Sequence, residues 1–125
     1  MPVAKRVLVV EDNELNLKLF CDLLRAHGFV AEGLRDGREA VARARQFLPD
    51  LVVMDIQMPH ITGYELIGQM KADVDLRAIP IMAVTAYASR EDEERIRTAG
   101  ADAYVSKPIV LARFMDQVRA LAPDT

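Results

Sequence analysis

Unbroken apolar runs, not alternating ones, are the first pattern along this chain. Val7 to Val10, Leu51 to Met54 and Ile81 to Val84 contain no polar residue and favour β-branched side chains. A strand with one wet face alternates apolar and polar residues. A strand covered on both faces by crossover helices reads as these three do, so they are predicted to be central strands of a parallel sheet. Val30 to Leu34 is interrupted by Glu32 and Gly33, and Ala103 to Ser106 follows Asp102 directly. Both are predicted to be strands nearer the sheet edge, giving five in all.

Between the runs the apolar period lengthens to that of a helix. Leu19, Phe20, Leu23 and Leu24, with His27, are expected to form one buried face of a first helix stopped by Gly28. Ala40, Val41, Ala44 and Phe47 repeat the pattern before Pro49. Leu66, Ile67 and Met70 mark a third helix. Leu111, Phe114, Met115, Val118 and Leu121 mark the last. The segment from Ser89 to Ala99 differs: Ser89 and Asp92 make a capping-box-like start and Gly100 a stop, but only Ile96 and Ala99 between them are apolar. It is either a solvated helix or an element that moves or meets partners.

Strand and helix in strict alternation predict an α/β fold, a parallel doubly wound sheet with helices on both faces and right-handed crossovers. A length of 125 residues is one domain, able to bury about two thirds of its unfolded surface. The last helix is followed directly by Pro123, Asp124 and Thr125, so no output domain is expected and any signal must leave by contact with another molecule. The single cysteine, Cys21, forms no internal bridge, and neither a signal-peptide run nor a membrane span is visible. A reducing cytoplasm is the expected location. The net charge of -3, with acids and bases interspersed, argues against nucleic acid as a direct partner.

Charge and hydroxyl groups gather where the apolar runs end. Glu11 and Asp12 follow the first run, Asp55 the third, Thr85 the fourth and Lys107 the fifth. In a parallel sheet these ends lie side by side, at the crevice where such folds bind ligands. An Asp closing a strand is commonly a turn former or helix cap. Here it is also a possible nucleophile for phosphoryl transfer. Three clustered carboxylates repel, two unit charges about 4 Å apart costing about 4 kcal/mol at an effective dielectric near 20, so a counter-ion is needed. Carboxylates, a backbone carbonyl and water suit Mg²⁺ or Mn²⁺. The Glu11 and Asp12 pair also reads as a helix N-terminal cap, and both readings hold together. Lys107 can pair with Asp55 or with a phosphate oxygen, and Ala86 leaves room beside Thr85. Asn16 lies on the apolar stripe of the first helix, where a bond to the pocket loops would explain it. His27 reads as a helix C-terminal cap, His60 as a loop residue and Cys21 as core filler.

From VLVVEDNELN through LVVMDIQMPHITGYE and IMAVTAYA to AYVSKPI, the whole chain resembles the receiver domain of two-component response regulators. The resemblance implies a flavodoxin-like fold with strand order 2-1-3-4-5. It further implies Asp55 as phosphoacceptor and Asp12, Asp55 and the Gln57 backbone carbonyl as metal ligands. Glu11, where many members have Asp, would contact the metal through water. Thr85 and Lys107 would hold phosphoryl oxygens, Tyr104 would turn inward as the switch aromatic, the Lys107-Pro108 bond would be cis, and Gln57 and Tyr87 would tune dephosphorylation.

A sensor histidine kinase or phosphotransfer protein would be the donor and a downstream protein the target, with the chain a monomer or weak dimer. Within the family, EDNELNLKLF, AYVSKPI and the bare length are most similar to single-domain regulators of bacterial cell division; receivers of hybrid histidine kinases carry related motifs. No enzymatic turnover is expected beyond self-phosphorylation from small phosphodonors and slow autodephosphorylation. An Asp-nucleophile phosphatase is disfavoured because Gln57 stands where the haloacid-dehalogenase-like enzymes place a second acid. A flavin or nucleotide carrier is disfavoured by the acidic segment after the first run, which is not followed by a Gly-rich cradle.

Overall fold

The computed structural model describes residues 4–86 and 89–122. Five parallel strands, β1 (Arg6–Val10), β2 (Val30–Leu34), β3 (Leu51–Asp55), β4 (Ile81–Thr85) and β5 (Ala103–Ser106), form one sheet in the order β2-β1-β3-β4-β5. The helices between and after them are α1 (Glu14–Ala26), α2 (Ala40–Phe47, entered through a 3₁₀ turn over Gly37–Glu39), α3 (Gly63–Ala72), α4 (Arg90–Ala99) and α5 (Leu111–Leu121). The order is that of a doubly wound flavodoxin-like fold. The central runs are indeed buried on both faces, and β5, at the edge, is only partly buried.

Alternate residues of each strand feed two separate cores. Val7, Val9, Val53 and Val84 pack with Phe20 and Leu24 of α1 and Phe114, Met115 and Val118 of α5. Phe20 and Phe114 stack at 5.0 Å between ring centres, tying the two helices together. Leu8, Val10, Val52, Met54 and Ala83 pack with Ala40 and Ala44 of α2, Leu66, Ile67 and Met70 of α3, and Ile96 of α4. Ile96 is the one buried residue of α4, the thinnest anchoring of any of the long helices.

Two apolar positions lie elsewhere than the helical period predicts, and His27, expected on the buried face of the first helix, is exposed. Leu19 is 45% exposed and Leu111 44% exposed. The buried stripe of α1 runs through Leu17, Phe20, Cys21 and Leu24 instead, because Cys21 meets the strand at Gly33, where only a missing side chain leaves space. Leu111 stands in the first turn of α5, one turn before Phe114 reaches the core. Caps match their residues: Asn13, Thr62 and Ser89 accept the N–H groups of Asn16, Glu65 and Asp92, and Gly28 and Gly100 take φ of +89° and +117° after α1 and α4.

The start of α3 constrains the end of β3. Gly63 N–H donates to the Ile56 carbonyl at 3.0 Å, and a Cβ at Gly63 would lie 2.6 Å from the Asp55 carbonyl oxygen and 2.7 Å from the Ile56 Cα. Those are backbone atoms of the strand, which cannot turn aside. Gly63→Ala is therefore expected to destabilise the fold by about 1–3 kcal/mol. Gly68→Ala, placed mid-helix with open space around it, is expected to be neutral or stabilising by up to about 1 kcal/mol. Urea unfolding midpoints of the two variants check the contrast.

Candidate functional site

Strand register brings the site together before any side chain is considered. Val10 lies opposite Met54, so the next residue of the first strand, Glu11, lies beside Asp55. Asp55 lies opposite Val84, so Thr85 is one step further along, and Thr85 opposite Ser106 sets Lys107 beside it. Ladder bonds continue past the strand ends, from Glu11 N–H to the Leu34 carbonyl (3.0 Å), Ile56 N–H to Val84 (3.0 Å) and Lys107 N–H to Thr85 (2.7 Å). Each functional residue thus sits on backbone that the sheet holds.

The carboxylates are deeply placed. Glu11 is 1% and Asp55 2% exposed, Asp12 is half-buried, and one oxygen of each lies within 4.8 Å of the others. Lys107 Nζ is 3.5 Å from both Glu11 Oε1 and Asp55 Oδ2, and the Gln57 backbone N–H donates to Asp55 Oδ1 at 3.2 Å. Burial, then the hydrogen bond and charge of Glu11, raise the Asp55 carboxyl from 3.8 to about 7, against the opposing pull of Lys107 and the Gln57 N–H. Asn16 Nδ2 donates to Glu11 Oε1 at 3.2 Å, while the buried Glu11 Oε2 has no hydrogen-bond partner among the described residues. Hard oxygen donors, an orphaned buried carboxylate oxygen and excess negative charge are what a divalent cation relieves. The residues present fit one.

Around this cluster are groups able to hold an anion or to respond to one. Thr85 is fully buried, and its Oγ accepts from Gln57 Nε2 at 3.3 Å. The Gln57 Oε1 accepts the Ala86 N–H at 3.1 Å. The Lys107-Pro108 peptide is cis. Tyr104 lies partly exposed on β5, its hydroxyl raised in pKa first by a hydrogen bond to Glu93 of α4, with the Arg97 guanidinium 5.9 Å from its ring centre. The opposite rim is a shallow hollow lined by Asp12, Arg35, Arg38, Pro59 and His60.

Glu11, Asp12, Asp55, Thr85 and Lys107 all meet at this one edge of the sheet, as the run ends predict. Tyr104 lies on β5 opposite Ala83, two positions short of the level of Thr85, and Tyr87 is outside the described residues. Asn16 has its explanation in the bond to Glu11, and Cys21 lies in the core. His27 caps α1 through its backbone, with its Nδ1 2.8 Å from Arg119 Nη2. Sequence reasoning missed Arg35, whose Nε donates to the Asp12 carbonyl at 3.2 Å, and Glu93, the acceptor for Tyr104. Arginine and glutamate are too common on surfaces for either to have been singled out.

Comparisons with known proteins agree with this geometry. Residues 7–119 match the response regulator receiver domain family. Polar-differentiation response regulator DivK of Brucella ovis is 48% identical over 122 residues, covering 98% of this chain and 99% of that protein. Among solved structures, the receiver domain of a sensor histidine kinase from Pseudomonas aeruginosa PAO1, with a magnesium ion coordinated in its active site cleft, is 30% identical. Its TM-score is 0.87, covering 96% of this chain and 98% of that one. The chemotaxis protein CheY4 of Vibrio cholerae is 25% identical with a TM-score of 0.90, covering 95% and 99%.

The raised Asp55 carboxyl has a consequence for stability. A carboxyl that titrates higher in the folded than in the unfolded chain favours folding at low pH, and that contribution is lost as pH rises through the folded value. Metal-free protein is therefore expected to lose stability between pH 3.8 and about 7. At about pH 8, Asp55→Asn should exceed the parent chain by about 1–3 kcal/mol without divalent cation. Adding Mg²⁺ should stabilise the parent selectively. Thermal unfolding at about pH 5 and about pH 8, with and without Mg²⁺, measures both effects.

Proposed function

The chain belongs to the response regulator receiver domain family, and on that premise we propose that it is a phosphorylation switch whose Asp55 accepts a phosphoryl group. The observation that carries this reading is Asp55 itself: a nearly buried carboxylate at a strand end, touched by one ammonium and within reach of two further acids. A sensor histidine kinase or phosphotransfer protein would supply the group. Asp55 Oδ attacks phosphorus, and the new O–P bond forms as the donor P–N bond breaks; the electron pair leaves on the imidazole nitrogen, which takes a proton.

Asp12, Asp55 and the Gln57 carbonyl would hold a Mg²⁺ ion, with Glu11 assisting. When bound, that ion neutralises the acid cluster and charge on the transferring group. Lys107 then exchanges its contact with Asp55 for one with a phosphoryl oxygen, and the Thr85 hydroxyl donates to another. Such transfer depends on positioning and charge neutralisation, so this set of groups is sufficient. The residue two after Asp55 is the neutral amide Gln57, which supplies no proton to a leaving group. This supports a slowly self-hydrolysing acceptor over a turnover phosphatase.

The signal would pass through Tyr104. Drawing the Thr85 side chain toward the phosphoryl group opens space beside β4, and Tyr104 can fill it by giving up Glu93. A full shift from 1:99 to 99:1 needs about 5.5 kcal/mol, whereas one charged hydrogen bond contributes about 1.5–3 kcal/mol. Phosphorylation alone therefore shifts the balance in part, and a bound target completes it. The similarity to the DivK proteins supports a role in polar differentiation and cell-division control in the cytoplasm. Among the described residues no helix is long and apolar enough to cross a membrane.

Incubation with phosphoramidate and Mg²⁺ is expected to add a single hydroxylamine-labile phosphoryl group, read by intact mass. Asp55→Asn should reduce labelling to background, as should chelation of Mg²⁺. Equal labelling of Asp55→Asn would overturn the assignment. Lys107→Ala should lower the labelling rate by about 10-fold or more, the equivalent of one charge-assisted contact.

A further inference from the structure

We propose that the Gln57 side chain is a latch that occupies the phosphoryl-binding donors of β4 in the resting chain and must be displaced when Asp55 is modified. This deepens the phosphoacceptor reading and rests on it. Three bonds define the latch. The Gln57 backbone N–H donates to Asp55 Oδ1 at 3.2 Å, its Nε2 donates to Thr85 Oγ at 3.3 Å, and its Oε1 accepts the Ala86 N–H at 3.1 Å. One residue thereby links the end of β3 to the end of β4, 28 and 29 positions away.

The orientation of the amide is fixed. The Ala86 N–H can only donate, so the group facing it must be the carbonyl oxygen, and the NH₂ must face Thr85. The carboxamide oxygen therefore occupies the Ala86 N–H, the backbone donor next to Thr85, for which a phosphoryl oxygen on Asp55 would compete. The NH₂ takes up Thr85 Oγ as an acceptor and holds that side chain in its resting place. The Ala86 N–H has one hydrogen to give, so a phosphoryl oxygen that takes it displaces the Gln57 carbonyl; the Thr85 hydroxyl can donate while still accepting, so there the latch opposes movement of the side chain toward the phosphoryl group. Hydrogen bonds to an ionised phosphoryl oxygen are roughly twice as strong as those between neutral partners. The latch is thus strong enough to set the resting state and weak enough to yield.

A residue that only braced the fold would, when removed, leave phosphoryl binding unchanged or weaker. A latch predicts the opposite sign. Gln57→Met keeps the length of the side chain and removes both amide bonds; Gln57→Asn keeps the amide but is one methylene too short to bridge. Beryllofluoride, a tetrahedral phosphoryl mimic, is titrated with Mg²⁺ into the full chain while the Ala86 and Thr85 amide signals are followed by NMR, and thermal unfolding identifies the folded variants. Both variants are expected to bind the mimic about threefold to tenfold more tightly than the parent, the value of one or two neutral hydrogen bonds. The gain should shrink in a Thr85→Ala background, where half of the latch is already lost. Unchanged or weaker binding in the folded variants overturns the latch. Failure of the parent chain to bind beryllofluoride at all overturns instead the phosphoacceptor reading beneath it.

Discussion

Two carboxylates, Glu11 and Asp55, are buried side by side, and the ammonium facing both is that of Lys107, 3.5 Å from each. The arrangement is unfavourable by itself. Burial penalises the charged form of Asp55, the neighbouring Glu11 adds repulsion, and one partly exposed cation does not cancel two anions. In the absence of metal the strain is relieved by a proton, as the raised Asp55 carboxyl shows. A divalent cation would relieve it differently, leaving Asp55 ionised. The pocket is thus poised between protonation and metal binding, and the phosphoryl chemistry proposed for it depends on which prevails.

The sheet imposes this arrangement. Strands β1, β3 and β4 are covered on both faces, so shifting any of them along its neighbour would break ladder bonds and unpack two cores together. The acids cannot move apart by sliding. Gly63 closes the remaining freedom, since α3 begins with its backbone against the Asp55 carbonyl and Ile56 Cα. A rigid frame is what lets a small charge change at one strand end be felt at another.

The parts proposed to respond lie at the opposite extreme of packing. α4 is anchored by Ile96, and its surface is tied down by Arg95 over Tyr64, while the Glu93–Arg97 pair lies within the helix. Glu93 also raises the pKa of the Tyr104 hydroxyl. These contacts are exposed, hence individually weak. Gln57 and Thr85, by contrast, are inside the frame and adjoin the carboxylates directly. The chain from Asp55 through Gln57 and Thr85 toward Tyr104 therefore passes from strongly held to loosely held groups, the gradient a switch requires.

Periodicity alone determined the fold class, because a parallel sheet buried on both faces leaves an unmistakable record of apolar runs. It also gave the sheet-end position of Asp55, Thr85 and Lys107, since strand ends can be read from where such runs stop. Helix faces were less legible: Leu19 lies outside the core because the rotation of α1 is set by what the strands offer, here the space at Gly33, and Leu111 because it stands in the first turn of α5, before Phe114 reaches the core. The bonds of Asn16 and Arg35, and the double contact of Gln57 with Thr85 and Ala86, were decided only by tertiary structure. Each is a hydrogen bond between elements or across a loop. Its existence depends on distances of about 3 Å, and neither composition nor spacing along the chain encodes a distance that only the folded sheet brings about.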